Sequence, residues 1–269
     1  MKKIVAVCYR IYWVLSAQFG IDLRQFGRSV RGLPRYIRDY FRFRSGYKGR
    51  LEIVPCLHDW YEEGGSTKTE YFWQDLLVAR KIFDARPDRH VDIGSRVDGF
   101  VAHVASFREI EIFDVRPIDM RIPGITITQA DLMKPIEGKE EYCDSISCLH
   151  ALEHFGLGRY NDPIHPKGFE CAIKSIAALL KTDGVLYLSV PLGTPRVEFN
   201  AQHIFDPRTI VNIAADNKLE MTALTVIKDG NRIEELTLVG KSLDRLANQR
   251  YALGIFEFNK TLRKNMAGI

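Results

Sequence analysis

The chain lacks any apolar run of the about 18 to 20 residues that a spanning helix needs. The nearest stretch, Ile4–Phe19, is interrupted by Arg10. Lys2 and Lys3 precede it in the manner of a signal peptide, but no small-residue cleavage site follows, so a cytoplasmic protein is the expectation. Paired cysteines are also missing. Cys8, Cys56, Cys143, Cys148 and Cys171 form no CxxC and stand in odd number at irregular spacing, which excludes a disulfide framework. No repeat, low-complexity segment or serine-nucleophile motif is present, and G-x-G-x-x-G is absent, which counts against a dinucleotide site.

What is present is uneven. Of 269 residues, 46% are hydrophobic and 27% charged, enough for one large α/β domain with an appendage. The net charge is +4, yet the first fifty residues carry twelve Lys/Arg against Asp22 and Asp39, a local +10 that leaves −6 for the rest. This basic arm interleaves arginine with aromatics in RQFGRSVRGLPRYIRDYFRFRSGYKGR, and Pro34 with its glycines predicts short helical pieces. Three roles stay open for it: a helical cap over an acceptor pocket, a peripheral contact with an anionic membrane surface, or a nucleic-acid platform. Nucleic acid ranks last, because the acidic remainder would repel it.

Beyond the arm, Thr67-x-x-Glu70 predicts a capping box opening a helix that stops before Pro87. From His90 onward, short apolar runs alternate with helical patterns, the mark of βαβ units and a parallel sheet. Strands are predicted at His90–Ile93, Glu111–Val115, Ile125–Gln129, Asp144–Leu149 and Val185–Val190, with helices over Asp98–Ser106, Gly168–Lys181 and Pro207–Asn217. Two last strands, Met221–Ile227 and Glu235–Val239, are joined by a hairpin-like turn at 228–231. The tail from Leu243 is read as partly helical. These divisions give a helical basic extension over 1–66, an α/β domain over 67–241, and a tail over 242–269 that packs on the core.

The run V-D-I-G-S-R-V-D-G at 91–99 is a strand end, a glycine and a helix start, the place where open α/β sheets bind ligands. Gly94 admits a close backbone approach, and Asp92 can accept a hydrogen bond from an ammonium or a water. A carboxylate there suits a cationic sulfonium with an amino-acid tail better than a pyrophosphate. Asp114 lies 22 positions on, at the next strand end, placed for ribose hydroxyls. Asp131 is placed for an adenine amino group or as a helix cap. Asp144 at a strand start is read as structural.

The segments H-V-D-I-G-S, E-I-F-D, Q-A-D-L, Y-C-D-S-I-S-C-L-H-A-L-E-H and L-L-K-T-D-G-V-L-Y-L-S-V-P occur in the order of the motifs of class I S-adenosylmethionine-dependent methyltransferases, and the chain resembles that superfamily over about residues 88–241. The runs L-E-H-F-G-L-G-R-Y-N-D-P-I-H-P and Y-A-L-G-I-F-E-F-N-K resemble, more narrowly, an uncharacterised bacterial methyltransferase-like family associated with surface-polysaccharide genes. The resemblance implies a Rossmann-like, seven-stranded α/β sheet and S-adenosylmethionine as cofactor. It implies that Asp92, Gly94 and Ser95 line the methionine end, Asp114 the ribose, Asp131 and Leu132 the adenine, with His150 over the same pocket. It further implies O-methylation of a sugar or glycan precursor. Arg96 and Asp98 depart from the family's glycine-rich loop, which keeps open an inactive binding subunit of a glycan-assembly complex.

Methyl transfer to a hydroxyl needs a base, and histidine suits that near neutral pH. Glu153 and His154 leave the fourth strand on the expected cofactor side. His203, in P-L-G-T-P-R-V-E-F-N-A-Q-H-I-F-D-P, is the rival base or else the cap of the helix near Pro207. Asn200 and Arg196 near it suit sugar hydroxyls or a phosphate. His154, Asp162 and His165 match no tight metal spacing, so no metal is expected.

Overall fold

Asp22 opens the longest helix of the chain because its carboxylate caps two free amides. In the computed structural model it accepts from Arg24 N and Gln25 N at 2.8 and 3.0 Å, and from Tyr12 Oη at 2.7 Å. The structure describes residues 2–63, 65, 67–119, 121–228, 232–236 and 240–262. The chain divides into two compact units, Met1–Ser66 and Thr67–Ile269.

The first unit holds α1 (Lys2–Phe19), α2 (Leu23–Gly46) and a single turn at Asp59–Tyr61. The expected break at Pro34 does not occur: α2 runs through it without interruption. A proline removes only one donor from the ladder, and 24 residues leave ample helix on either side. Gly32 is not a breaker either. A Cβ there would collide with the Leu57 backbone, so the glycine serves a close crossing of chain segments.

The second unit begins with α3 (Glu70–Ala85). Thr69 occupies its N-cap but makes no side-chain cap bond, so the predicted capping box is not formed. Glu70 is engaged elsewhere, as described below. The helix ends at Arg86 in the left-handed region, ahead of Pro87. There follow β1 (His90–Ile93), a wide turn at Val97–Val101 running into α4 (Ala102–Ala105), β2 (Ile110–Asp114), β3 (Ile125–Gln129), β4 (Cys143–Leu149), a turn at Leu152–His154, α5 (Gly168–Leu179) and β5 (Leu180–Leu192). A small hairpin, β6 (Arg196–Glu198) and β7 (Gln202–Ile204), precedes α6 (Pro207–Asp216). The chain then forms β8 (Leu219–Lys228), β9 (Arg232–Glu235), α7 (Gly240–Ala247) and β10 (Ala252–Lys260).

The sheet has eight strands in the order β3-β2-β1-β4-β5-β10-β8-β9, one more than the seven expected. β1 to β5 are parallel, while β10 pairs antiparallel with both β5 and β8. The tail read as partly helical is helical over 243–247, the end of α7, and its later part, Ala252–Lys260, is an interior strand. Its alternation explains why: Leu253 and Ile255 enter the core beneath α3 and α4, and Phe256 and Phe258 enter the larger core with α5, α6 and α7. Phe256 and Phe258 are fully buried and stacked at 5.6 Å, and burial of each contributes about 1.5–3 kcal/mol. The predicted turn at 228–231 and strand at Glu235–Val239 fall partly outside the described residues; β9 ends at Glu235.

Candidate functional site

The carboxyl ends of β1, β2 and β4 open into a cavity of about 360 Å³, whose wall includes Ile93–Arg96, Phe113–Arg116, Ala130–Leu132 and Leu149–Ala151. It lies where the strand order turns back on itself.

Gly94 terminates β1 with φ +70, a conformation that favours glycine, and its N–H donates to Phe113 O at 3.0 Å. Asp92 is completely buried. Its Oδ1 accepts from Ser147 Oγ at 2.6 Å and Ser95 Oγ at 2.8 Å, and its Oδ2 from Ser95 N at 3.0 Å. No cation pairs with it among the described residues. Burial pushes its carboxyl up to about 6, although the three hydrogen bonds pull the other way.

The network extends beneath the strand end. Ser147 has one proton and gives it to Asp92, so it accepts from His90 Nε2, 3.1 Å away. That fixes the His90 tautomer and leaves Nδ1 to accept from Ser145 Oγ at 2.8 Å. Burial lowers His90 to about 3, so it stays neutral.

Asp114 lies at the end of β2 and is nearly fully buried, but it is not free. Arg116 grips it with Nη2 to Oδ2 at 2.5 Å and Nε to Oδ1 at 2.9 Å, and the Arg116 amide adds a bond of 2.8 Å. The same guanidinium reaches Gly94 O at 3.3 Å. Arg116 thus spans the two strand ends that the sequence marked separately. Asp131 lines the cavity and accepts from Met133 N at 3.0 Å, and Leu132 is buried beside it.

The substituted glycine loop has its own geometry. Arg96 and Asp98 pair with each other through two bonds of 3.0 and 2.7 Å at the rim, both side chains largely exposed. Their charges offset one another. A Cβ on Gly99 would stand 2.9 Å from Asp75 Oδ2, so a side chain there would push the Asp75 carboxylate of α3 aside.

Beyond β4 lies a buried charged cluster. His150 takes φ +51, an uncommon conformation for a residue with a side chain, and its amide donates to Ser189 Oγ at 3.0 Å. His150 Nδ1 bonds Glu153 Oε1 at 2.7 Å, and Nε2 lies 3.3 Å from Glu70 Oε1 at an angle that makes no hydrogen bond. Burial opposes charge on this imidazole, but Glu153 and Glu70 outweigh it and push it up to about 9. Glu153 is fully buried; burial would raise it, and the His150 charge holds it below its ordinary value instead. Tyr251 donates to Glu70 at 2.5 Å, and Tyr71 packs over His150 with ring centroids 4.5 Å apart.

His154 stands at the cavity wall. Its Nδ1–H donates to Ala201 O at 2.7 Å, which leaves the Nε2 lone pair free to accept a proton. Burial lowers its pKa, favouring the neutral imidazole. Arg159, Tyr160 and Gln202 complete this end of the cavity, with the Arg116 guanidinium 4.7 Å from the Tyr160 ring centre.

His203 is not part of this wall. It lies on β7 among Phe169 and Phe205, stacked on the latter at 5.5 Å, and burial lowers its pKa. Nor does it cap α6: Asp206 does, accepting from Arg208 N at 2.9 Å. Arg196 pairs with Glu198 on the exposed hairpin. Asp162 is spent on its own loop, accepting from Gly156 N, Gly158 N and Tyr160 N, and His165 is exposed, so neither joins His154 around an ion. Asp144 accepts from Asp88 N and Arg89 N at 2.7 Å each, the structural role expected. Cys148 is buried and its thiol raised far above the ordinary range, which makes it inert.

Sequence reasoning missed Glu70, Tyr71, Gln74, Asp75, Arg116, Arg159, Tyr160 and Tyr251. Gln74 and Asp75 left a trace, as two polar residues on the otherwise apolar buried side of α3. Gln74 accepts from Ser189 Oγ and donates to Asp75 at 3.0 Å.

No curated protein matches the chain. A family model described as a Caenorhabditis protein of unknown function, DUF268, matches residues 116–216. The fold is similar to that of 1,6-didemethyltoxoflavin-N1-methyltransferase from Burkholderia thailandensis, solved with 1,6-didemethyltoxoflavin and S-adenosylhomocysteine. The two share 11% identity and a TM-score of 0.50 over 72% of this chain and 80% of that one. A TehB-like SAM-dependent methyltransferase from Corynebacterium glutamicum aligns at 15% identity and a TM-score of 0.44, covering 70% of this chain and 94% of its own. The second unit has the Rossmann-like α/β fold of the class I methyltransferases.

Proposed function

We propose that the protein is an S-adenosylmethionine-dependent methyltransferase. One observation carries the reading: the left-handed Gly94, Ser95 and Asp114 line the cavity, and directly behind them, bonded to Ser95, lies the buried carboxyl of Asp92, which has no cationic partner among the described residues. Such a donor set fits a ligand with a positive end and hydroxyls, and it disfavours a pyrophosphate. The solved neighbour that binds S-adenosylhomocysteine supports the same choice.

When bound, S-adenosylmethionine supplies an electrophilic methyl group. Ser95, backed by Asp92, would hold its amino-acid end and Asp114 its ribose, while Phe113, Ala130 and Leu132 would wall the base with Asp131 at the edge. Asp114 retains lone pairs for a hydroxyl donor while Arg116 holds it. At the opposite wall, His154 Nε2 would take the proton of an acceptor hydroxyl whose oxygen displaces the sulfonium sulfur at the methyl carbon, and Ala201 O would stabilise the resulting imidazolium through Nδ1–H. Glu153 and His150 form a positioning pair behind it. Tyr71, Tyr160, Arg159 and Gln202 offer flat rings beside fixed donors, the combination that recognises a polyhydroxyl compound. We take O-methylation of a sugar or glycan precursor as the acceptor reading.

A second reading, a binding subunit without turnover, is favoured by one feature: the Arg116 grip on Asp114 must loosen or be shared for a ribose to bind. Calorimetry with S-adenosylmethionine, S-adenosylhomocysteine and NAD separates the possibilities, followed by a glycan acceptor screen. Micromolar binding of the first two, with turnover reduced at least 100-fold in His154→Ala, is expected. Binding without turnover on any acceptor would favour the subunit, and binding of NAD alone would sink both.

A further inference from the structure

The first unit covers α2 along the line of Gly32, Tyr36 and Asp39, between its arginine side and its apolar side, and both of those sides are largely exposed. Leu57 crosses at Gly32, the Arg35 guanidinium lies 3.4 Å from the Trp60 ring centre, Arg31 lies over Tyr61, and Gln25 meets His58 at 3.1 Å. The apolar side presents Leu23, Phe26, Val30, Leu33, Ile37 and Phe41, each between 44% and 68% exposed. At 3.6 residues per turn these six fall within an arc of about 80°. Arg24, Arg28, Arg31, Arg35, Arg38 and Arg42 fall within a second arc of about 80°, facing away from the first. Asp39 is the sole acid of the helix, against seven arginines.

We propose that α2 is a membrane-docking helix that lies in the plane of an anionic bilayer. Its apolar stripe would enter the boundary between headgroups and acyl chains, and its arginines would neutralise lipid phosphates and carboxylates. The ring content agrees: Phe26 and Phe41 stand in the stripe, with Tyr40 and the exposed Phe43 beside it, where aromatic side chains favour a membrane interface. Among the described residues no helix is long and apolar enough to cross a membrane, so the contact is peripheral. A second copy is a poorer occupant. Arg44, at the C-terminal end, is the one charge within the arc of the stripe, and the flanking positions Gly27, Ser29, Pro34, Tyr36 and Tyr40 are uncharged, with no acidic partner to set the register of a second helix. The strong positive charge of α2 would also repel its copy.

The test is sedimentation of the full chain with vesicles of phosphatidylcholine alone, and with about 30 mol% phosphatidylserine added. Binding to the anionic vesicles at least tenfold above the neutral ones is expected, falling as salt rises. Phe26→Glu with Phe41→Glu, or the milder Leu33→Ser, should weaken that binding at least tenfold while circular dichroism stays unchanged. Arg24→Gln, Arg28→Gln and Arg42→Gln together should remove most of the salt dependence; these three do not hold Trp60 or Tyr61. No preference for anionic vesicles would overturn the proposal. So would binding that ignores the Phe substitutions, or a dimer in light scattering that those substitutions dissolve. Oligonucleotide binding that needs the same phenylalanines, with vesicle binding intact without them, would do the same.

Discussion

At the scale of single residues, the site stores an electrostatic cost. A carboxyl raised from 3.8 to about 6 is harder to ionise in the folded chain than in the unfolded one. Ionised Asp92 therefore costs nothing below its unfolded value, costs progressively more as pH rises towards 6, and exacts the full penalty above that. A bound cation would remove the penalty. Asp92→Asn keeps the shape and can still bond the two serine hydroxyls. It should stabilise the unliganded protein at pH 8, by less than the roughly 3 kcal/mol of the full shift because Nδ2 then meets the Ser95 N–H, with the gain shrinking as pH falls below 6. It should also weaken S-adenosylmethionine binding at least tenfold. Urea melts across pH and calorimetry check both halves; a destabilised Asn variant at pH 8 would show that the buried charge is already compensated. His150 has the opposite sense. Its pKa is raised by Glu153 and Glu70, so its contribution is complete below about 6.5 and is lost as pH rises through about 9. A stability profile that falls over that range, and flattens in His150→Gln, is expected. Asp92, Gly94 and Asp114 were legible in the sequence because a strand, a glycine and a helix start form a local pattern. The Arg116 grip was not, because which carboxylate an arginine meets depends on how the strand ends converge. Glu70 was hidden for the same reason, its partners Tyr251 and His150 lying far along the chain.

At the scale of elements, β1 to β5 and the helices α5 and α6 could be read from periodicity, and the final strand could not. In A-L-G-I-F-E-F almost every position is apolar, so a period of 2 cannot be told from one of 3.6. Its place is also non-local: the last strand in the chain inserts between β5 and β8. Gly254, third in the strand, faces Leu192 and Leu224, and a Cβ there would collide with the Leu192 side chain. Gly254→Val should cost about 1–3 kcal/mol through overpacking. Gly27→Ala, in open space on α2, should gain about 0.5–1 kcal/mol from helix propensity. Removal of residues 251–269 should prevent cooperative unfolding altogether, because it exposes both edges that β10 pairs. A sharp thermal transition in that truncated chain would contradict the central position of β10.

At the scale of the whole molecule, the two units have different chemistry. The basic excess belongs to the first, while the cavity wall runs only from Thr69 to Gln202 and so belongs wholly to the second. The charge of the sequence is divided in the same sense, since the first fifty residues carry a charge opposite in sign to that of the rest. A ligand of the cavity should accordingly stabilise the second unit and leave the first unchanged. At about 100 times its dissociation constant, S-adenosylhomocysteine adds about 2.7 kcal/mol to the unit that binds it. For a unit of this size that raises the melting midpoint by roughly 5–10 °C. Limited proteolysis can follow the two units separately. Cleavage within residues 48–57, which hold no helix or strand, should proceed at the same rate with and without ligand, while cleavage within 67–260 slows at least tenfold. Equal protection of both segments would mean that the units are energetically coupled, and that occupancy of the cavity is communicated to the arginine-rich helix.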